Sequence, residues 1–93
     1  MAWTVKDRWG NEIVLTDERW QHIINGHWEL ADMLDQVLET VRLGNRMQAA
    51  DDPNKYRYSR EFSNLPYGYT HIYVIVRLAP SKFIITAYPK RVR

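Results

Sequence analysis

Leu34-Asp35-Gln36-Val37-Leu38-Glu39-Thr40-Val41-Arg42-Leu43-Gly44-Asn45-Arg46-Met47-Gln48 is the stretch in which the hydrophobic period of the chain changes. Upstream of Gly44, Leu30, Met33, Leu34, Val37, Leu38 and Val41 recur at the i, i+3/i+4, i+7 spacing of one helix face, with acids on the other. Downstream the period becomes two, and turn signals at Asp52-Pro53-Asn54, Asn64-Leu65-Pro66-Tyr67-Gly68 and Ala79-Pro80-Ser81 cut the remainder into segments. The pattern predicts strands over Arg46 to Ala50, Lys55 to Phe62, Thr70 to Leu78 and Lys82 to Tyr88, joined by connections that suit an antiparallel meander. Tyr73 to Val76 and Phe83 to Ile85 read as the central part.

Working outward from the long helix, Gly26 closes a shorter one. Thr16 stands at its N-cap, Asp17 and Glu18 in its first turn complement the helix dipole, and Trp20, Ile23 and Ile24 form its apolar stripe. Before it, Trp3 to Asp7 and Glu12 to Leu15 flank Trp9-Gly10-Asn11, which reads as a short hairpin turned by glycine. The expected class is α+β: a short N-terminal hairpin, two helices, then a four-stranded antiparallel sheet against which both helices pack, in a single domain over residues 1–93.

Composition narrows the chemistry. With 93 residues, 45% of them hydrophobic, the chain is long enough for one modest core, and low-complexity or wholly disordered readings are excluded. There are no cysteines, so disulfides, thiolate metal sites and thiol nucleophiles are excluded together; three scattered histidines without HxxxH spacing point to chemistry with no metal and no cofactor. The sequence shows no bilayer-spanning apolar run and no leader pattern after Met1, so the expectation is a cytoplasmic protein without a membrane partner.

The formal charge of +2 conceals a segregation: residues 17–43 carry six acids against Arg19 and Arg42, whereas residues 44–93 carry nine bases against three acids. A basic half rich in Tyr and Arg suits a phosphate backbone with unpaired bases, or else is a solvated face. Lys90-Arg91-Val92-Arg93 reads as a basic tail that adds non-specific attraction to RNA, or as a solvated end. Trp3 and Trp9 on the hairpin offer a protein-binding patch, while Trp20, and with it Trp28, is assigned to the core.

Four segments in order, Thr16-Asp17-Glu18-Arg19-Trp20-Gln21-His22-Ile23, Gly26-His27-Trp28-Glu29-Leu30, Tyr56-Arg57-Tyr58-Ser59-Arg60-Glu61-Phe62 and Ile84-Ile85-Thr86-Ala87-Tyr88, resemble the phage and bacterial nucleases of the Barnase, EndoU, colicin and RelE-like (BECR) fold. The resemblance covers about residues 13–90. It departs at His27-Trp28-Glu29-Leu30, where relatives commonly carry His-Pro-Glu-Leu. It implies helices followed by a four-stranded antiparallel sheet and a small, toxin-like, metal-independent endoribonuclease. Its partners would be RNA, single-stranded or tRNA-like, and an antitoxin or immunity protein.

Metal-free RNA cleavage by 2′-OH attack, leaving a cyclic phosphate, needs a base, an acid and a cation for the phosphorane charge. His27, at a helix C-terminus where a cation is favoured, is the expected acid or base, with His22 as helper; the alternatives are a C-cap and a surface residue. Strand alternation puts Arg57 on one face and Tyr56, Tyr58 and Arg60 on the other. The resemblance makes a basic residue on this strand the phosphate ligand, and Tyr58 with Arg60 combines stacking and a guanidinium clamp, although half-buried tyrosines and cross-strand charge pairs are ordinary in sheets. Thr86 and Tyr88, two residues apart, present hydroxyls that can position a phosphate or a 2′-OH, or are simply good strand formers. Lys90 is a further phosphate contact, and His71 at the head of the third strand is a reserve histidine. A catalytically silent RNA-binding or protein-interaction module on the same fold is the alternative reading.

Overall fold

Where Thr16 ends a strand, its side chain starts a helix: Oγ1 accepts a hydrogen bond from the Arg19 N–H at 3.1 Å. The computed structural model describes residues 2–92, and among these the chain runs β1 (Ala2–Lys6), β2 (Glu12–Thr16), α1 (Asp17–Gly26), α2 (Leu34–Leu43), β3 (Asn45–Gln48), β4 (Lys55–Glu61), β5 (His71–Arg77) and β6 (Phe83–Lys90). Arg93 of the basic tail, like Met1, lies outside the described residues. Gly10, at a φ of +84°, turns the β1–β2 hairpin.

The second helix is shorter than its apolar stripe. Leu30 is buried in a separate 3-10 turn, Trp28–Leu30, and α2 begins at Leu34. The turn is closed by i→i+3 bonds, Leu30 N–H to His27 at 3.0 Å and Ala31 N–H to Trp28 at 3.0 Å, which still direct Leu30 into the core. A stripe of this spacing reads the same across such a break. Trp28, assigned to the core from sequence, is 63% exposed because the turn swings it outward.

Strands β3 to β6 form the expected antiparallel meander, but the hairpin does not stand apart from it. β2 lies parallel to β6 through the Val14–Phe83 pair, with the Val14 N–H donating to the Lys82 carbonyl at 3.1 Å. The result is one six-stranded mixed sheet in the order β1-β2-β6-β5-β4-β3, in place of four antiparallel strands and a lead-in hairpin. The physical reason is burial: Ile13 and Leu15 have no exposed surface and share a core with Val37, Val41, Ile72, Val74 and Ile84, which brings β2 to the β6 edge. Each such side chain stabilises the fold by roughly 1.5–3 kcal/mol. Gly44 sits where α2 meets β4, and a Cβ there would collide with the backbone carbonyls of Thr40 and Ser59.

The sheet curls. β1 and β3 lie at opposite ends of the strand order, yet Asp7, just after β1, reaches Tyr58 on β4 and Arg46 on β3. The Asp7 carboxylate accepts from the Tyr58 hydroxyl at 2.5 Å, the Asn11 side chain at 3.0 Å, and the N–H groups of Trp9 and Asn11 at 2.9 and 2.8 Å. Arg46 stands 3.6 Å away, its guanidinium held between the rings of Trp9 (4.0 Å) and Tyr56 (4.5 Å). Burial pushes the carboxyl up, but the hydrogen bonds from Tyr58, Asn11 and Trp9 outweigh it and hold Asp7 below its ordinary value. Burial first, and the Asp7 hydrogen bond second, push the Tyr58 phenol well above its ordinary range.

Because the folded-state value of Asp7 is depressed, its contribution is complete above the ordinary carboxylate range and is lost as pH falls through the folded value. Asp7→Ala is expected to cost about 3 kcal/mol in urea unfolding near neutral pH, and the gap between variant and wild type should narrow on acidification. Gly44→Ala is expected to cost about 1–3 kcal/mol in the same assay, since backbone rather than a side chain must give way.

Candidate functional site

The helices cover one face of the sheet and leave the other open. On β5, Ile72, Val74 and Val76 are buried under the helices, so His71, Tyr73, Ile75 and Arg77 face outward. Register carries this face across the sheet: Ser59 pairs with Tyr73 and Tyr73 with Tyr88; Arg57 pairs with Ile75 and Ile75 with Thr86; Glu61 pairs with His71 and His71 with Lys90. The open face therefore collects Arg57, His71, Tyr73, Thr86, Tyr88 and Lys90 from three strands.

His27 joins them from the end of α1. Its backbone N–H donates to the Ile23 carbonyl at 2.8 Å, making it the C-cap one residue beyond the expected stop at Gly26. Its ring lies 6.1 Å from that of Tyr88, and Tyr88 packs edge-on against Tyr73 at 5.5 Å. The Arg57 guanidinium sits 4.6 Å above the Tyr73 ring. Its Nε is buried without a hydrogen-bond partner, Nη2 has only the Met47 sulfur at 3.9 Å, and no carboxylate pairs with it among the described residues. Most other arginines nearby are engaged: Arg60 with Glu39 at 3.1 Å and Arg77 with Asp52 at 2.7 Å. An unpaired guanidinium on an aromatic platform offers its remaining N–H groups to an anion, in the fork geometry that matches phosphate.

Three expected site residues are elsewhere. Tyr58, expected to stack on bases, has no exposed surface; it lies under α2 with its hydroxyl on Asp7. Arg60 shares that covered side and is held by Glu39 and the Phe62 ring, at 5.6 Å. The expectation that the Tyr58/Arg60 side meets the substrate is thus corrected in favour of the Arg57 side, because α2 packs on the former. His22 is exposed on α1, in a shallow groove with Glu18, Arg19, Gln21, Ile24 and Asn25, and no hydrogen bond, ion pair or ring contact among the described residues ties it to His27 or Tyr88. The exposure agrees with the alternative of a surface residue.

The β6 hydroxyls of Thr86 and Tyr88 share the outward face, but alternation along the strand is interrupted before them. A register shift pairs Ile75 with Thr86 and Val76 with Ile84, leaving Ile85 as an extra residue. Ile84 is consequently buried in the core at 1% exposure, whereas uninterrupted alternation would put it outward with Thr86. Tyr73 was missed as a site residue because it reads as a central-strand tyrosine; its signal was only its period-two relation to His71. Trp9 is 47% exposed but covers Arg46, and Trp3 packs against the core, so the two do not form one free patch.

Among the described residues no group of three His, Asp or Glu side chains is arranged to hold a metal ion, and no helix is long and apolar enough to cross a membrane. Comparison of the chain with protein-family models, with curated proteins and with solved structures finds no match in any of the three.

Titration with inorganic phosphate, followed by NMR, is expected to move the signals of His27 and Arg57 while leaving His22 in place. Tyr58→Phe is expected to lower stability by about 1–3 kcal/mol without changing phosphate affinity, separating the covered face from the open one.

Proposed function

We propose that this protein is a small metal-independent endoribonuclease of the BECR type that works on the open face of its sheet. The observation that carries the reading is the meeting of His27, Tyr88, Tyr73 and an unpaired Arg57 on one surface, although they come from α1, β6, β5 and β4. A phosphodiester laid over the Tyr88–Tyr73 pair has an imidazole on one side and a guanidinium on the other. In the reaction, the ribose O2′ attacks phosphorus, the O2′ proton leaves to a base, and His27 protonates the departing O5′ to give a cyclic phosphate and a free 5′ end. Arg57 stabilises the equatorial charge of the phosphorane, and the Thr86 and Tyr88 hydroxyls position the phosphate and the 2′-OH. Lys90, exposed two residues after Tyr88, adds attraction for the neighbouring phosphate.

Tyr58, Arg60 and His22 have no part in this chemistry. The fitting substrate is single-stranded or tRNA-like RNA, since an exposed tyrosine platform stacks on unpaired bases. In a toxin-like setting, the same cytoplasmic enzyme is restrained by a neutralising protein.

Wild-type protein incubated with total RNA in excess EDTA is expected to release fragments ending in cyclic phosphate. His27→Ala should abolish them with fold and RNA binding retained, and Arg57→Ala should lower the rate about 10²-fold. Absence of fragments from the wild type, alongside salt-sensitive RNA binding, would turn the reading to a silent binding module on the same face.

A further inference from the structure

The reaction above requires a base for the 2′-OH, and the open face holds a second histidine. His71 begins β5 and shares the face of Tyr73, its ring 6.4 Å from the Tyr73 ring. Tyr88 lies directly opposite Tyr73, so His71 and Tyr88 are diagonal neighbours across the β5–β6 ladder, a relation that keeps side chains within reach of one another. The His27 ring lies 6.1 Å from that of Tyr88. His27 and His71 therefore both border the Tyr88–Tyr73 pair, His27 at Tyr88 and His71 at Tyr73.

The tautomer of His71 is tied to its contact with Thr70. Its Nδ1 is 2.7 Å from the Thr70 Oγ1. That hydroxyl also accepts from the Val92 N–H at 2.9 Å and has the Val92 and Lys90 carbonyls at 3.3 and 3.4 Å. The hydroxyl proton can go to one of these carbonyls, with Nδ1–H then donating to Oγ1, or to Nδ1 itself; the first arrangement is the one that leaves Nε2 free to act as a base. In that arrangement neutral His71 carries its lone pair on Nε2. When Nε2 gains a proton, the Nδ1–H bond to Thr70 is unchanged, so charging the ring breaks no contact.

We infer that His71 is the general base of this site, with Thr70 as a positioning residue that sets its tautomer; the inference rests on the nuclease reading. His71 Nε2 takes the proton from O2′ as the O2′–P bond forms, while His27 delivers its proton to O5′ as the P–O5′ bond breaks. Each turnover leaves the two histidines with exchanged protonation states, restored by solvent, and no further reactant is needed. The charged and titratable groups facing His71 are Glu61 from β4, Lys90 from β6, and the Tyr73 and Tyr88 phenols; Glu61 and Lys90 oppose each other in sign.

The test combines a pH–rate profile with a readout independent of turnover. Wild type is expected to show a bell-shaped kcat profile with RNA. His71→Asn should lower kcat about 10²-fold with little change in KM and lose the acidic limb, which reports the base. Thr70→Val should lower kcat in the same sense, and Thr70→Ser should restore it. In the resting protein, imidazole ¹⁵N shifts should place the neutral His71 proton on Nδ1. Wild-type cleavage with a His71→Asn profile that keeps both limbs, or a neutral His71 protonated on Nε2, would overturn the role of His71 and leave the nuclease standing. A wild type that cleaves no RNA would remove both.

Discussion

The Asp7 carboxylate decides whether this sheet closes on its helices. It follows the first strand and is nearly excluded from solvent, an expensive position for a charge unless every lone pair finds a donor. The donors are supplied by the hairpin's own N–H groups, by Asn11 and by the Tyr58 hydroxyl from the far side of the sheet. Local turn and distant strand thus satisfy one group together. With α2 between β1 and β4, the curl buries a single core, and Arg46 clamped by Trp9 and Tyr56 seals its rim.

That closure divides the molecule into a covered face and an open one, and the division decides which polar side chains are used up within the fold. Polar groups on the covered side are spent internally: Tyr58 on Asp7, Arg60 on Glu39, Thr40 on the Gln36 carbonyl. On the open side, Arg57 keeps an unsatisfied Nε and the tyrosines present ring faces and edges. Side chains held on a hydrogen-bonded sheet have fixed spacing, which would suit the acid, base and cation of the proposed reaction. The one component from outside the strands, His27, is fixed by capping α1, so its place depends on how α1 lies along β6.

The β6 irregularity shows how little backbone change is needed to alter such a surface. One extra residue at Ile85 moves Ile84 into the core while Thr86 and Tyr88 stay outward, opposite Ile75 and Tyr73. Without that shift, burying Ile84 would bring Thr86 and Tyr88 to the covered side as well. The bulge therefore reconciles a well-filled core with outward hydroxyls on the same strand.

Much of this was legible in the chain. Thr16 as an N-cap, the ends of α1 and α2 to within a residue of Gly26 and Gly44, the glycine-turned hairpin and the four-strand meander all follow from interactions within a few residues, which leave a periodic or capping signature. The alternation on β4 likewise separated Arg57 from Tyr58 and Arg60. What no local signal contains is which side of that strand a helix covers, that Ile13 and Leu15 bring the hairpin to β6, that β6 carries an extra residue, or that His27, Tyr88, Tyr73 and His71 are neighbours. Those were settled by long-range packing: only when α2 and the curled sheet share one core does one face become interior and the other a surface, and residues as distant in sequence as positions 27 and 88 come to face one another.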